Sequence, residues 1–188
     1  FGNIGHRVAE MLQVFGCKIL VNDVYYDPDD EMLATLPIKK VDLPTLMRES
    51  DIVTLHARNT EIILDREMLS LMQPHAFFIN TARAHMVDYD ALYELLRDRK
   101  IMGAAIEVHP TEPLPEDYPF LKLDNVTLTT HRGGDTINAY SDSPEMLVQD
   151  YARYRAGIAR AELLPLVNAV FNKRVKSARR LNDRVPIL

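Results

Sequence analysis

Three polar residues in this chain stand just beyond apolar, strand-sized runs. Arg83 closes Ile79-Asn80-Thr81-Ala82-Arg83, Glu112 lies in Thr111-Glu112-Pro113, and His131 lies in Thr129-Thr130-His131-Arg132-Gly133-Gly134. Exits of neighbouring parallel strands converge on one edge of a sheet, so a permanent cation, a carboxylate and an imidazole placed there can act on one small molecule. Moving a hydride onto a 2-oxo acid requires a set of this kind. Taken singly, each residue has a plainer reading: a surface cation, a loop charge, a polar residue ending a strand. Jointly, in order and each behind a strand, they read as catalytic.

The elements that must position them follow from the hydrophobic pattern. Short β-rich runs at 18–22, 38–41, 52–56, 76–80, 103–107 and 126–129 alternate with amphipathic segments. That alternation is the signature of an α/β fold with a doubly wound parallel sheet. The runs are apolar on both faces, as strands covered by helices on each side would be. Asp42, Asp65 and Asp88 each precede a helical segment and suit its N-cap, where a carboxylate accepts orphan backbone N–H groups. Ser143-Pro144-Glu145 is expected to open a last long helix ending near Gly157. The stretch 110–119 holds four prolines and predicts an exposed loop at the site.

The chain opens Phe1-Gly2-Asn3-Ile4-Gly5, the second half of a G-x-G-x-x-G turn, followed by Val8, Leu12 and Phe15 on one helical face. Gly2 would let backbone approach a pyrophosphate, Gly5 would let helix and strand pack closely, and the helix N-terminus would face the phosphates. Asp23, 18 residues beyond Gly5, ends the next predicted strand and can accept hydrogen bonds from both ribose hydroxyls of NAD. A 2'-phosphate there would meet like charge, so NAD is expected over NADP. The alternative for Asp23 is a loop aspartate capping the turn before Tyr25. The first glycine and the strand before it are not in the sequence, so the Rossmann-type sheet is expected to lack its central first strand and to leave two edges unpaired.

The 188 residues, 47% hydrophobic, suffice for one domain and an appendage. The organisation expected is a partial nucleotide-binding domain at 1–140, a helical segment at 141–172 returning toward a substrate domain, and a basic tail at 173–188. Beginning at Phe1, the chain looks like part of something longer. Its apolar runs are far short of the roughly 20 residues that span a bilayer, so no membrane partner is expected. A single cysteine, Cys17, excludes an internal disulfide framework and fits a reducing compartment, with cytoplasm the default. A net charge of -5 argues against a general nucleic-acid binder. Lys173, Arg174, Lys176, Arg179, Arg180 and Arg184, set against Asp183 alone, read as a solvated end or a docking site for an acidic partner.

In combination, the glycine half-turn, Ser50-Asp51-Ile52-Val53-Thr54-Leu55-His56, the run from Ile79 to Arg83 with Val87-Asp88, and the stretches 103–113 and 125–134 resemble the NAD-binding domain of the D-isomer-specific 2-hydroxyacid dehydrogenases. The resemblance runs from Phe1 to about Gly157. It implies that Arg83 binds the substrate carboxylate and polarises the keto oxygen, that His131 is the general acid in reduction and base in oxidation, and that Glu112 fixes the tautomer of His131 and favours the imidazolium. It further implies cofactor contacts at Gly2, Asn3, Ile4, Gly5, Thr60, Thr81, Ala82, Arg83, His131 and Gly133. Glu107 stands where the family usually has Asp against the nicotinamide carboxamide, with one methylene more reach. Other departures are Arg58, read as a solvated loop residue, His85, which either contacts substrate or points outward, and His109, which replaces a common aromatic. His109 reads as packing, with no metal ligand set around it. The implied partner is a small 2-hydroxy or 2-oxo acid, the implied assembly a homodimer with the segment near 88–99 in its interface, and the implied activity of the 188 residues alone is nil. The competing class is an NAD-sensing, non-catalytic binding module of the corepressor kind. A methyltransferase using S-adenosylmethionine would want the glycines and Asp23 but has no need of Arg83 and His131.

Overall fold

A computed structural model describes residues 1–25, 36 and 38–155. The basic tail and the end of the last predicted helix lie outside the described residues. All six expected strands form: β1 (Ile19–Val21), β2 (Ile38–Lys40), β3 (Ile52–Leu55), β4 (Phe77–Asn80), β5 (Gly103–Ile106) and β6 (Val126–Leu128). Helices α1 (Asn3–Gln13), α2 (Leu43–Glu49), α3 (Arg66–Ser70), α4 (Tyr89–Arg97) and α5 (Ile137–Arg155) alternate with them. The fold is α/β, a Rossmann-type parallel sheet flanked by helices.

The strands divide into two sheets. β1 pairs with β2, and β3-β4-β5-β6 form a four-stranded sheet in sequence order. Every pairing in the larger sheet is parallel, with Leu55 opposite Asn80, Asn80 opposite Ile106, and Ile106 opposite Leu128. The chain separates into two compact units, one of Leu20–Asn22 and Lys39–Gly134, the other of Phe1–Ile19, Asp23–Ile38 and Asp135–Leu188.

In the first of these units the core gathers on one sheet face. Val53, Phe78, Ala104 and Ile106 meet Leu69, Leu92 and Leu96 from the helices. The opposite face is less covered than the apolar runs predict: Ile52 is 56% exposed and Phe77 46%. The three helix starts expected from aspartates form as expected. Asp42 accepts from Thr45 N–H at 2.7 Å, Asp65 from Met68 at 2.9 Å and Asp88 from Ala91 at 2.9 Å. α4 turns Tyr89, Ala91, Leu92 and Leu96 into the core. Gly103 permits a close approach: a Cβ there would lie 2.7 Å from the Asn125 carbonyl oxygen. Among the described residues no helix is long and apolar enough to cross a membrane.

The second unit holds α1 and α5. α1 ends at Gln13, so Phe15 falls beyond the helix rather than on its face. α5 departs further from expectation. It begins at Ile137, not Ser143, and Pro144 sits inside it. The Thr136 hydroxyl accepts from Ala139 N–H at 3.1 Å and starts the helix about two turns early. The proline then falls where its missing N–H removes one internal bond, a loss an exposed helix of this length tolerates.

Candidate active site

Because Asn80, Ile106 and Leu128 are register partners, the loops leaving β4, β5 and β6 start side by side on one edge. Arg83, Glu112 and His131 are carried by those three loops.

At the β4 exit, Asn80 is fully buried and shapes the turn. Its side-chain oxygen accepts from Ala82 N–H at 3.0 Å, and its amide donates to Arg83 O and to the Tyr89 hydroxyl, both at 3.3 Å. Tyr89 in turn donates to Val108 O at 2.5 Å, bracing the β4 and β5 exits against each other. Burial pushes the Tyr89 phenol far above its ordinary range, so it stays a donor at any working pH. Neither Asn80 nor Tyr89 stands out in the sequence. The available signal was an asparagine ending an apolar strand, a residue that bonds its own backbone two positions on. The Arg83 guanidinium is exposed and donates to Ala82 O at 2.6 Å, and it makes no bond to Glu112 or His131.

Glu112 and His131 are brought together. His131 Nδ1 lies 2.8 Å from Glu112 Oε2, while Glu112 Oε1 accepts from His109 N–H at 2.9 Å. An ionised carboxylate only accepts, so Nδ1 carries the proton and Nε2 is left to exchange one with a substrate. The His109 N–H bond first, then the His131 contact, hold the Glu112 carboxyl below its ordinary range. His131 adopts φ 56°, a left-handed conformation that a side chain with a Cβ disfavours. Its flanks are fastened: Glu107 accepts from Gly133 N–H, and His109 Nε2 bonds Thr129 O at 2.8 Å. A Cβ on Gly133 would sit 2.7 Å from the Glu107 carboxylate, which would have to shift to admit it. Glu107 thus holds the loop and also lines the edge of the cavity.

A cavity of about 460 Å³ lies along the same edge, lined by Thr81, Ile106, Glu107, Thr129, Arg132 and Gly133 among others. Arg83 and His131 do not line it. Ala82 is buried beneath the turn, and Thr60 is exposed in the loop after β3. That loop is tied down by His85, whose Nε2 bonds Asn59 O at 2.8 Å. Arg58 is exposed, as expected. Among the described residues no cluster of His, Cys, Asp or Glu could hold a metal ion.

In the other unit, α1 starts at Gly2, which has no side chain with which to cap, so the first-turn N–H groups of Asn3, Ile4 and Gly5 suit an anion. Asp23 does cap the turn before Tyr25, accepting its N–H at 2.7 Å. Within this unit, an uncapped helix start behind a glycine turn suits the phosphates of a dinucleotide, and a strand-end carboxylate suits its ribose hydroxyls.

Residues 1–133 match the family D-isomer specific 2-hydroxyacid dehydrogenase, NAD binding domain. A glyoxylate reductase of Thermofilum pendens is 36% identical over 184 residues, 96% of this chain and 52% of that protein. Among solved structures, the NAD-complexed D-isomer specific 2-hydroxyacid dehydrogenase from Lactobacillus delbrueckii ssp. bulgaricus superposes with a TM-score of 0.71 at 30% identity, covering 82% of this chain and 50% of that one. An acyclic imino acid reductase in complex with NADPH and D-Arg gives a TM-score of 0.70 at 34% identity, covering 82% and 48%. The chain belongs to the D-isomer-specific 2-hydroxyacid dehydrogenase family and carries its NAD-binding domain. It spans about half the length of the curated relatives it matches.

Proposed function

We propose that this chain supplies the cofactor site and the proton-transfer pair of an NAD-dependent D-2-hydroxyacid dehydrogenase acting on a small 2-hydroxy or 2-oxo acid. The observation that carries the reading is the Glu112–His131 contact, 2.8 Å long and fastened at the sheet edge beside the cavity. NAD would supply the hydride acceptor and donor. Arg83 binds the substrate carboxylate through the paired N–H groups at the edge of its planar guanidinium, which must swing off Ala82 O to do so. His131 gives its Nε2 proton to the keto oxygen during reduction and takes it back during oxidation. Glu112 holds the ring in the one tautomer that leaves Nε2 available. Thr60, Thr81, Ala82 and Gly133 line the path of the cofactor, and Gly2 to Gly5 with Asp23 receive its phosphates and ribose. Glu107 acts in this reading through the loop that it holds.

The organisation that goes with this reading is a partial nucleotide-binding domain at 1–140, a helical segment at 141–172 and a basic tail at 173–188. A cytoplasmic homodimer without nucleic-acid or membrane partners completes it. Oxidation of NADH with glyoxylate and with hydroxypyruvate by the full-length protein that contains these residues, followed by absorbance, tests the activity. Turnover that disappears in Arg83→Lys and His131→Ala supports it. NAD binding without turnover of any 2-oxo acid overturns it in favour of an NAD-sensing binding module.

A further inference from the structure

We propose that His109 is a positioning residue that fixes the Glu112–His131 pair by tying the loop that carries Glu112 to the strand end that carries His131. This rests on the dehydrogenase reading of that pair.

His109 makes both ties itself. Its backbone N–H reaches Glu112 Oε1 at 2.9 Å, and its Nε2 reaches the Thr129 carbonyl, two residues before His131, at 2.8 Å. A carbonyl only accepts, so Nε2 carries the proton and the neutral ring presents Nδ1 as a bare acceptor. That Nδ1 is buried and has no partner. The ring packs edge-on against Tyr118, with centroids 5.6 Å apart, and the residue is 6% exposed. A phenylalanine would fill the same space, meet Tyr118 in the same way and strand no nitrogen, so packing alone favours Phe over His. What histidine alone provides is the Nε2–H donated to Thr129.

That donor acts where the backbone needs restraint. His131 is held at φ 56°, a conformation that persists only when its surroundings over-determine it. Glu107 fastens Gly133 on one side, and His109 fastens Thr129 on the other. The His109 N–H is also the foremost of the contacts that hold the Glu112 carboxyl below its ordinary range.

The test compares His109→Phe, which keeps the ring and loses the donor, with His109→Gln, which keeps a side-chain N–H and loses the ring. In the protein that turns over a 2-oxo acid, His109→Phe should lower kcat by about tenfold while KM for NADH holds. Its reduction rate should fall off at lower pH, and its thermal midpoint should not drop. His109→Gln should recover most of the rate. A His109→Phe variant with kcat within about twofold of the parent and an unmoved pH profile overturns the proposal. So does a His109→Gln variant as slow as His109→Phe with both melting earlier, since that is a packing role alone. Imidazole nitrogen–proton correlation spectra give a readout that needs no turnover. The carboxylate-bonded His131 Nδ1 proton should weaken or vanish in His109→Phe and persist in His109→Gln. An unchanged signal overturns the proposal, whereas a parent that shows the signal but reduces no 2-oxo acid overturns only the dehydrogenase reading.

Discussion

His131 combines a disfavoured backbone with a partnered ring, and its contribution is separable from cofactor binding. His131→Ala removes the proton donor to a developing alkoxide, so kcat for reduction should fall by about 10² to 10⁴ with NAD affinity unchanged by isothermal titration. Near wild-type kcat would refute the acid–base role. Glu112→Gln keeps a hydrogen bond to the imidazole, but an amide can donate as well as accept, so it no longer dictates which ring nitrogen carries the proton, and kcat for reduction should fall with NAD affinity unchanged by isothermal titration. Glu112 itself titrates below its ordinary value of 4.5. Its pairing is therefore complete above that value and is lost only as pH falls through the lower folded one, so activity lost reversibly above about pH 5 should not trace to Glu112. Arg83→Lys keeps charge but loses the two-point grip, and should raise KM for the oxo acid and lower kcat together.

The site depends on how its elements begin and how closely they approach. Asp88 starts α4, whose Tyr89 braces the β4 and β5 exits. Asp88→Ala should cost about 1 kcal/mol, read as a lower urea midpoint at constant m. Gly103→Ala is a different kind of change. Its Cβ would lie 2.7 Å from a backbone oxygen of Asn125, which cannot rotate away as a side chain can. A loss of roughly 1 to 3 kcal/mol is expected by the same measurement, and an unchanged midpoint would contradict the strand–loop approach described.

For the molecule as a whole, the open question is which dinucleotide it holds. The glycine turn and Asp23 lie in one compact unit and the catalytic pair in the other. A relative solved with NAD and another solved with NADPH both share this fold. Asp23 decides between them in our reading, because a carboxylate accepts from ribose hydroxyls and repels a 2'-phosphate. Isothermal titration should show NAD bound more tightly than NADP, with the preference narrowing in Asp23→Ala. Equal or tighter NADP binding by the parent would refute that role.

The sequence by itself determined the strands, three helix caps, the family and the identity of the candidate residues. Each of these is encoded locally, in a run of apolar side chains, an aspartate before a helix or a glycine at a turn. The tertiary structure decided which polar groups meet. Glu112 and His131 are 19 residues apart and are joined only because β5 and β6 are neighbours. Glu107 was readable as a cofactor contact, and only the fold shows that it also accepts from Gly133 N–H, 26 residues on. Asp23 was readable as a ribose acceptor or a turn cap, and the fold adds the bond from Tyr25 N–H without deciding against the ribose. Ser143-Pro144 signalled a helix start that Thr136 pre-empted, since the earlier hydroxyl already captures an orphan N–H. His109 reads from sequence as packing, because a hydrogen bond to a carbonyl 20 residues away leaves no local trace. Local chemistry fixes what each segment becomes, whereas the partners of a buried polar group depend on which segments the sheet order sets side by side.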